Sequence, residues 1–208
     1  MRRVLITAGA TRNPIDAMRY ISAFSSGATG VWLGRELQAA GLPVLLLGSA
    51  EARLRAPELP GEEFTSTRDL LARMERLVLA TPGMVVVHAA AVGDYEAATS
   101  GGKIASGQPE LTLLLTPTPK IVDHLKRWDP TMFLVSFKAA PPETGPEDLR
   151  RIADNQRRRT GSDLVFANVL GSLHSGVQLV SAESARTWSE RAPGLAALRD
   201  AILAVAGV

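Results

Sequence analysis

Two short apolar runs, RRVLI (2–6) and LPVLLLG (42–48), flank a segment of different period, and this arrangement constrains the fold more than any other feature of the chain. In GVWLGRELQAAG (30–41), Val31, Leu33, Leu37 and Ala40 fall at helical spacing and Gly41 stops the pattern. Strand, helix and strand in succession make a β-α-β unit, whose strands run parallel with a right-handed crossover. A parallel sheet is covered on both faces, so its strands are apolar throughout. MVVVHAAAV (84–92) is a run of that kind.

The alternation continues. TRDLLARMERLVLA (67–80) reads as an amphipathic helix with Thr67 as its N-cap. ELTLLLTPT (110–118), TMFLVSFK (131–138) and SDLVFAN (162–168) read as strands. TPKIVDHLKRW (118–128), with Pro119 in its first turn, and PEDLRRIADNQRRR (146–159) read as helices. GVQLVSAESARTW (176–188) is expected to be a hairpin and GLAALRDAILAVAG (194–207) a closing helix. RLRAPELPGEEF (53–64) and YEAATSGGKIASGQPE (95–110) are left as long polar connections, of a length that is uncommon without a function. The expected fold is α/β: a doubly wound, mostly parallel, Rossmann-like sheet with a C-terminal hairpin, in one domain over residues 1–208.

Composition narrows the function. No run reaches the roughly 18 apolar residues of a membrane span, and the apolar stretch in MRRVLITAGA is too short for a signal core of roughly 7–15 residues. The chain has no cysteine, hence no disulfide, thiolate metal site or cysteine nucleophile, which suits the cytoplasm. A net charge of +2 gives no argument for nucleic acid. Of the 23 basic residues only four are lysines, Lys103, Lys120, Lys126 and Lys138, which marks them as positions where a compact ammonium is wanted.

In an open parallel sheet ligands gather at the carboxyl ends of the strands. There the dinucleotide fingerprint G-x-G-x-x-G is missing, since GATRNP follows the first strand, and neither tyrosine has a lysine four residues on. An NAD(P)-dependent reductase is therefore disfavoured. RYISAFSSGATG (19–30) instead sets Ser25, Ser26 and Gly27 just before a helix start, where hydroxyls, free amides and the helix dipole favour a phosphate or carboxylate, with Arg19 as an additional fork.

VLITAGATRNPIDAMRYIS, SSG, HAAAVGDY, GGKIASG, TPKI, SFK and DLVFAN, in this order from the first strand to about residue 170, together resemble phosphopantothenoylcysteine synthetase, also called phosphopantothenate–cysteine ligase, in its single-function form. The resemblance implies a homodimeric ligase that joins 4′-phosphopantothenate to cysteine through an acyl-nucleotide. CTP or ATP would be the co-substrate, with Mg²⁺ on the nucleotide and no flavin. It implies nucleotide contacts at His88, Ala89, Ala90, Asp94, Lys103, Thr118, Pro119, Lys120, Ile121, Phe137, Lys138 and Arg159, with Lys103 catalytic. It places the substrate phosphate at Arg19, Ser25, Ser26 and Gly27. The sequence departs from the family pattern at Ala23, where the family usually carries Asn, and at Val169, where it often carries Asp. Ala23 keeps a second reading open, a non-catalytic nucleotide-binding protein on the same fold.

Overall fold

The structure, a computed structural model, describes residues 1–98, 102–105, 107, 109–171 and 176–207. In chain order its elements are β1 (Val4–Ala8), β2 (Arg12–Pro14), β3 (Tyr20–Ser22), α1 (Ala28–Ala39), β4 (Val44–Gly48), α2 (Ala50–Arg55), β5 (Gly61–Glu63), α3 (Thr67–Ala80) and β6 (Val85–His88). There follow β7 (Tyr95–Ala97), β8 (Leu115–Pro117), α4 (Val122–Trp128), β9 (Phe133–Ala140), α5 (Pro146–Thr160), β10 (Leu164–Val169), β11 (Val177–Val180), β12 (Ala185–Trp188) and α6 (Arg191–Ala206).

The main sheet runs β12-β11-β10-β9-β6-β1-β4-β5. From β5 to β10 every neighbouring pair is parallel, and β11 and β12 add an antiparallel hairpin at the β10 edge. The six parallel strands follow the Rossmann order, with the chain reversing its direction of travel across the sheet on either side of β1. That reversal leaves a crevice at the carboxyl ends of β1 and β6. Both faces of the strands are apolar because both are covered. Val4, Ile6 and Ala8 of β1 pack under α1, α2 and α6, while Leu5 joins the cluster under α3 and α4. A smaller cluster between β10 and α5 completes that second face. No helix among the described residues is long and apolar enough to cross a membrane.

Four expectations are corrected. Thr67 does not cap α3; the Ser66 hydroxyl accepts from the Asp69 amide, and the Asp69 carboxylate reaches back to the Thr65 amide. Reciprocal capping of this kind frees Thr67, one residue on, to turn inward. Residues 53–64 are not a bare connection. They hold the end of α2 and the edge strand β5, whose polar sequence reflects its position at the margin. Residues 110–118 give only the three-residue β8, which pairs antiparallel with β7 in a ribbon outside the sheet, because β9 already occupies the place beside β6. α4 begins only at Val122 with Ile121 as its N-cap, so Pro119 precedes the helix.

Candidate functional site

A cavity of about 1000 Å³ opens at the carboxyl end of the sheet. Its floor is made by Ala89, Ala90 and Ala91 after β6, by Phe137 and Ala139 of β9, and by Asn168 of β10. Its walls are the loop from Ser22 to Gly27 with the first turn of α1, Ser49 and Glu51 beyond β4, Arg12 and Tyr20 of the β2–β3 ribbon, and Arg191 at the start of α6.

The start of α1 is electrostatically open. Gly27 is its N-cap in the left-handed region (φ 76°), no side chain caps the helix, and no acidic residue lies in its first turn. A Cβ at Gly27 would stand 2.8 Å from the Gly9 nitrogen and 2.7 Å from the Ala52 Cβ, so only glycine lets the helix begin this close to the end of β1. The hydroxyls of Ser25 and Ser26 accept from the Gly27 and Ala28 amides at 3.4 Å, the long end of the hydrogen-bond range. Free amides and the helix dipole at such a terminus attract anions.

The sheet end is fixed from below by buried hydroxyls. The Thr7 hydroxyl lies 3.0 Å from the His88 Nδ1 and accepts from the Ala90 amide at 3.1 Å, which sets the Ala89–Ala90 backbone. The Thr11 hydroxyl accepts from the Gly93 amide at 2.8 Å, and Thr118 donates to the Gly93 carbonyl at 2.7 Å. Asn13 bridges the Thr67 amide and the Tyr95 carbonyl. Loops far apart in sequence are thus tied into one polar hub beside Asp94.

The structure gathers Ser25, Ser26, Gly27, Ala89, Ala90 and Phe137 around this cavity. The other expected residues do not line this cavity. His88 is buried with its ring on Thr7, and burial pushes its pKa down to about 4, so it is a neutral support behind the site. Thr118 and Ile121 are also buried, the first in the hub and the second in the core. Asp94 and Lys120 form an exposed ion pair at 2.5 Å, with Pro119 half-buried beside it. Arg159 is paired with Asp123 on the surface. Lys126 joins Asp163 at 2.8 Å and the Met132 carbonyl at 2.6 Å. Exposed Lys103 and half-buried Lys138 are the two lysines with no carboxylate partner among the described residues.

Arg19 does not reach the Ser25–Gly27 turn. It pairs with Asp16 at 3.5 Å and donates to the Ile104 carbonyl at 3.1 Å. The buried Asp16 carboxylate accepts from the amides of Met18, Arg19 and Ile104, and these bonds, that from Met18 foremost, hold its pKa below the usual carboxylate range. Asp16 and Arg19 therefore clamp the segment that carries Lys103. The guanidinium groups that do line the cavity are Arg12, over the Tyr20 ring at 5.0 Å, and Arg191, over the Phe166 ring at 5.3 Å. Sequence patterns gave no sign of Arg191, which lies past the last motif.

The model of the DNA/pantothenate metabolism flavoprotein C-terminal domain matches residues 1–206. A coenzyme A biosynthesis bifunctional protein CoaBC of Thermococcus kodakarensis is 42% identical over 193 residues, covering 89% of this chain and 46% of that protein. The chain thus spans about half the length of that relative. The phosphopantothenate–cysteine ligase of Mus musculus is 29% identical over 242 residues, covering 88% of this chain and 77% of the ligase. Among solved structures, the DNA/pantothenate metabolism flavoprotein from Streptococcus pneumoniae superposes with a TM-score of 0.87 at 27% identity, covering 98% of this chain and 99% of that one. With its Rossmann order and its cavity at the strand ends, the chain belongs to the family of the DNA/pantothenate metabolism flavoprotein C-terminal domain.

Proposed function

We propose that the chain is a ligase joining 4′-phosphopantothenate to cysteine through an acyl-nucleotide, with CTP or ATP as co-substrate. The observation that carries this reading is the uncapped start of α1, facing a cavity roomy enough for an extended organic anion. The relatives are a coenzyme A biosynthesis protein and a phosphopantothenate–cysteine ligase, which gives the reaction its class. In the first step the substrate carboxylate attacks the α-phosphorus and pyrophosphate leaves. In the second, the amine of cysteine attacks the acyl carbon, the nucleoside monophosphate leaves, and the amine loses a proton. Neither step is a redox step, so neither calls on a flavin.

In this reading the Ser25–Gly27 turn takes the substrate phosphate and the Ala89–Ala90 backbone with Phe137 forms the wall along which the ligands lie. Asp94 meets the nucleotide base. Lys103 and Lys138 supply positive charge to the triphosphate, Lys103 at the reacting phosphate. Among the described residues no group of three or more acids or histidines could hold a metal, so a Mg²⁺ ion would be carried by the phosphates of the nucleotide. Lys103 lies outside the cavity lining, and the exposed apolar side chains of the two ribbons are suited to a second copy.

The test is pyrophosphate release with CTP and with ATP, each with and without phosphopantothenate and cysteine. Release that requires phosphopantothenate supports the ligase; nucleotide binding without release would leave the non-catalytic reading. Ala23 favours that second reading, because it puts a methyl group at the cavity wall where the resemblance leads one to expect an amide.

A further inference from the structure

Arg191 is out of place unless an anion joins it. Its guanidinium lines the cavity, covered on one side by the fully buried Phe166 ring at 5.3 Å. It donates to the Thr29 hydroxyl in the first turn of α1 at 3.2 Å. No carboxylate pairs with it among the described residues, although most arginines of the chain have such a partner. Glu51, the acidic residue of the cavity wall, is spent on Arg55 at 3.0 Å, and the neighbouring Glu190 is exposed and makes no ion pair among the described residues. Arg191 is also the first residue of α6, the end of a helix where a cation is disfavoured. Burial adds to this, and it lowers the pKa of the guanidinium without neutralising it.

The packing holds it there. A Cβ at Gly194 would stand 2.3 Å from the Val177 Cγ2 and 3.6 Å from Phe166, so the glycine lets the first turn of α6 settle against β11 and the Phe166 ring. The C-terminal hairpin and helix thus deliver a fixed, unpaired guanidinium beside Ser25, Ser26 and Gly27, the place where Arg19 was expected.

We infer that Arg191 is the guanidinium that binds the phosphate of the substrate in this cavity, an assignment that rests on the ligase reading above. A planar fork with Thr29 on one side fits a phosphate better than a point charge does. Titration calorimetry on the full chain with phosphopantothenate and with pantothenate, which lacks the phosphate, separates the claims. The wild type should prefer phosphopantothenate. Arg191→Gln should lower phosphopantothenate affinity by about 10- to 100-fold, the scale of a lost charge-assisted bond, and leave pantothenate and nucleotide affinity nearly unchanged. Arg191→Lys should fall between, and because the readout is a ratio, a general loss of stability moves both ligands together. If Arg191→Gln fails to fold, Arg191→Lys carries the test through the same ratio. Preference kept in full by the variants, or lost nucleotide affinity in its place, overturns the assignment and leaves the ligase reading standing. A wild type that does not distinguish the two ligands overturns both.

Discussion

At the scale of single residues, the site separates groups that touch a ligand from groups that hold the backbone which does. His88 is the clearest case of the second kind. Its burial lowers the pKa from 6.5 to about 4, so the folded chain refuses a proton that the unfolded chain accepts. Below pH 6.5 the unfolded state therefore gains, and stability falls until about pH 4, where the folded state takes the proton too. The loss over that window is roughly 3 kcal/mol, with about 2 kcal/mol of it between pH 6.5 and 5, where most carboxylates do not yet titrate. Urea unfolding of wild type and His88→Gln at pH 7, 6 and 5 should show the slope in the wild type and a flatter line in the variant. Equal slopes would mean that another group sets the acid limit. In the proposed reaction Lys103 is of the first kind. If it meets charge developing at the α-phosphate, Lys103→Gln should slow acyl-nucleotide formation by about 10². Its side chain is exposed and outside the core, so the melting temperature should hardly move. Unchanged turnover in rapid-quench assays would remove Lys103 from the chemistry.

At the scale of elements, the helix starts sort the molecule. α2, α3, α4 and α5 each carry an acidic residue in the first turn, which neutralises the helix end, Glu51 of α2 doing so at the cavity itself; α1, which also begins there, has none and is preceded by glycine. The fold thus leaves the positive end of α1 bare where the proposed anion would sit. Gly27→Ala tests how far that depends on the tight start of α1. The left-handed backbone and the contact with Gly9 should together destabilise by about 2–4 kcal/mol, a fall in Tm of the order of 5–10 °C for a chain of this size. Phosphopantothenate affinity should fall with it, and a melting curve that matches the wild type would show that the turn has slack. Much of this level was legible in the sequence: the 3.6-residue period set α1 and α3, the continuous apolar runs set β1, β4, β6 and β9, and Ser-Ser-Gly marked the helix start at the site. The short strands β2, β3, β5 and β7 were not, and β8 was expected to be longer. Three residues carry too little pattern to separate a ribbon from a loop, and their pairing depends on partners distant in the chain. For the same reason Arg191 was invisible: its place at the site comes from the hairpin folding back along β10, and nothing near it in sequence records that.

At the scale of the whole molecule, the proposed homodimer needs a surface on which a second copy could sit. The apolar side chains of the C-terminal hairpin, Val177, Leu179 and Val180, are buried within the chain, so they offer little to a partner. The two ribbons are different. They are joined by the bond from the Asn13 side chain to the Tyr95 carbonyl, and they and their flanks expose Met18, Tyr20, Phe24, Tyr95, Leu111, Leu114 and Leu115. These are seven of the eleven large exposed hydrophobics among the described residues, so the apolar surface is concentrated here and not scattered. A concentration of this kind marks an interface. Phe24 stands beside the Ser25–Gly27 turn, so a partner seated on this surface would also close over the cavity and exclude water from it. Sedimentation velocity at micromolar concentration should give a mass twice the 22.1 kDa of one chain. Phe24→Asp combined with Leu114→Asp should shift it to the single-chain mass and lower ligase turnover, with little change in the melting of the isolated fold because both side chains are exposed in one chain. A wild type that sediments as a single chain throughout that range, or a double variant that stays paired, would show that the ribbons are not where two copies meet.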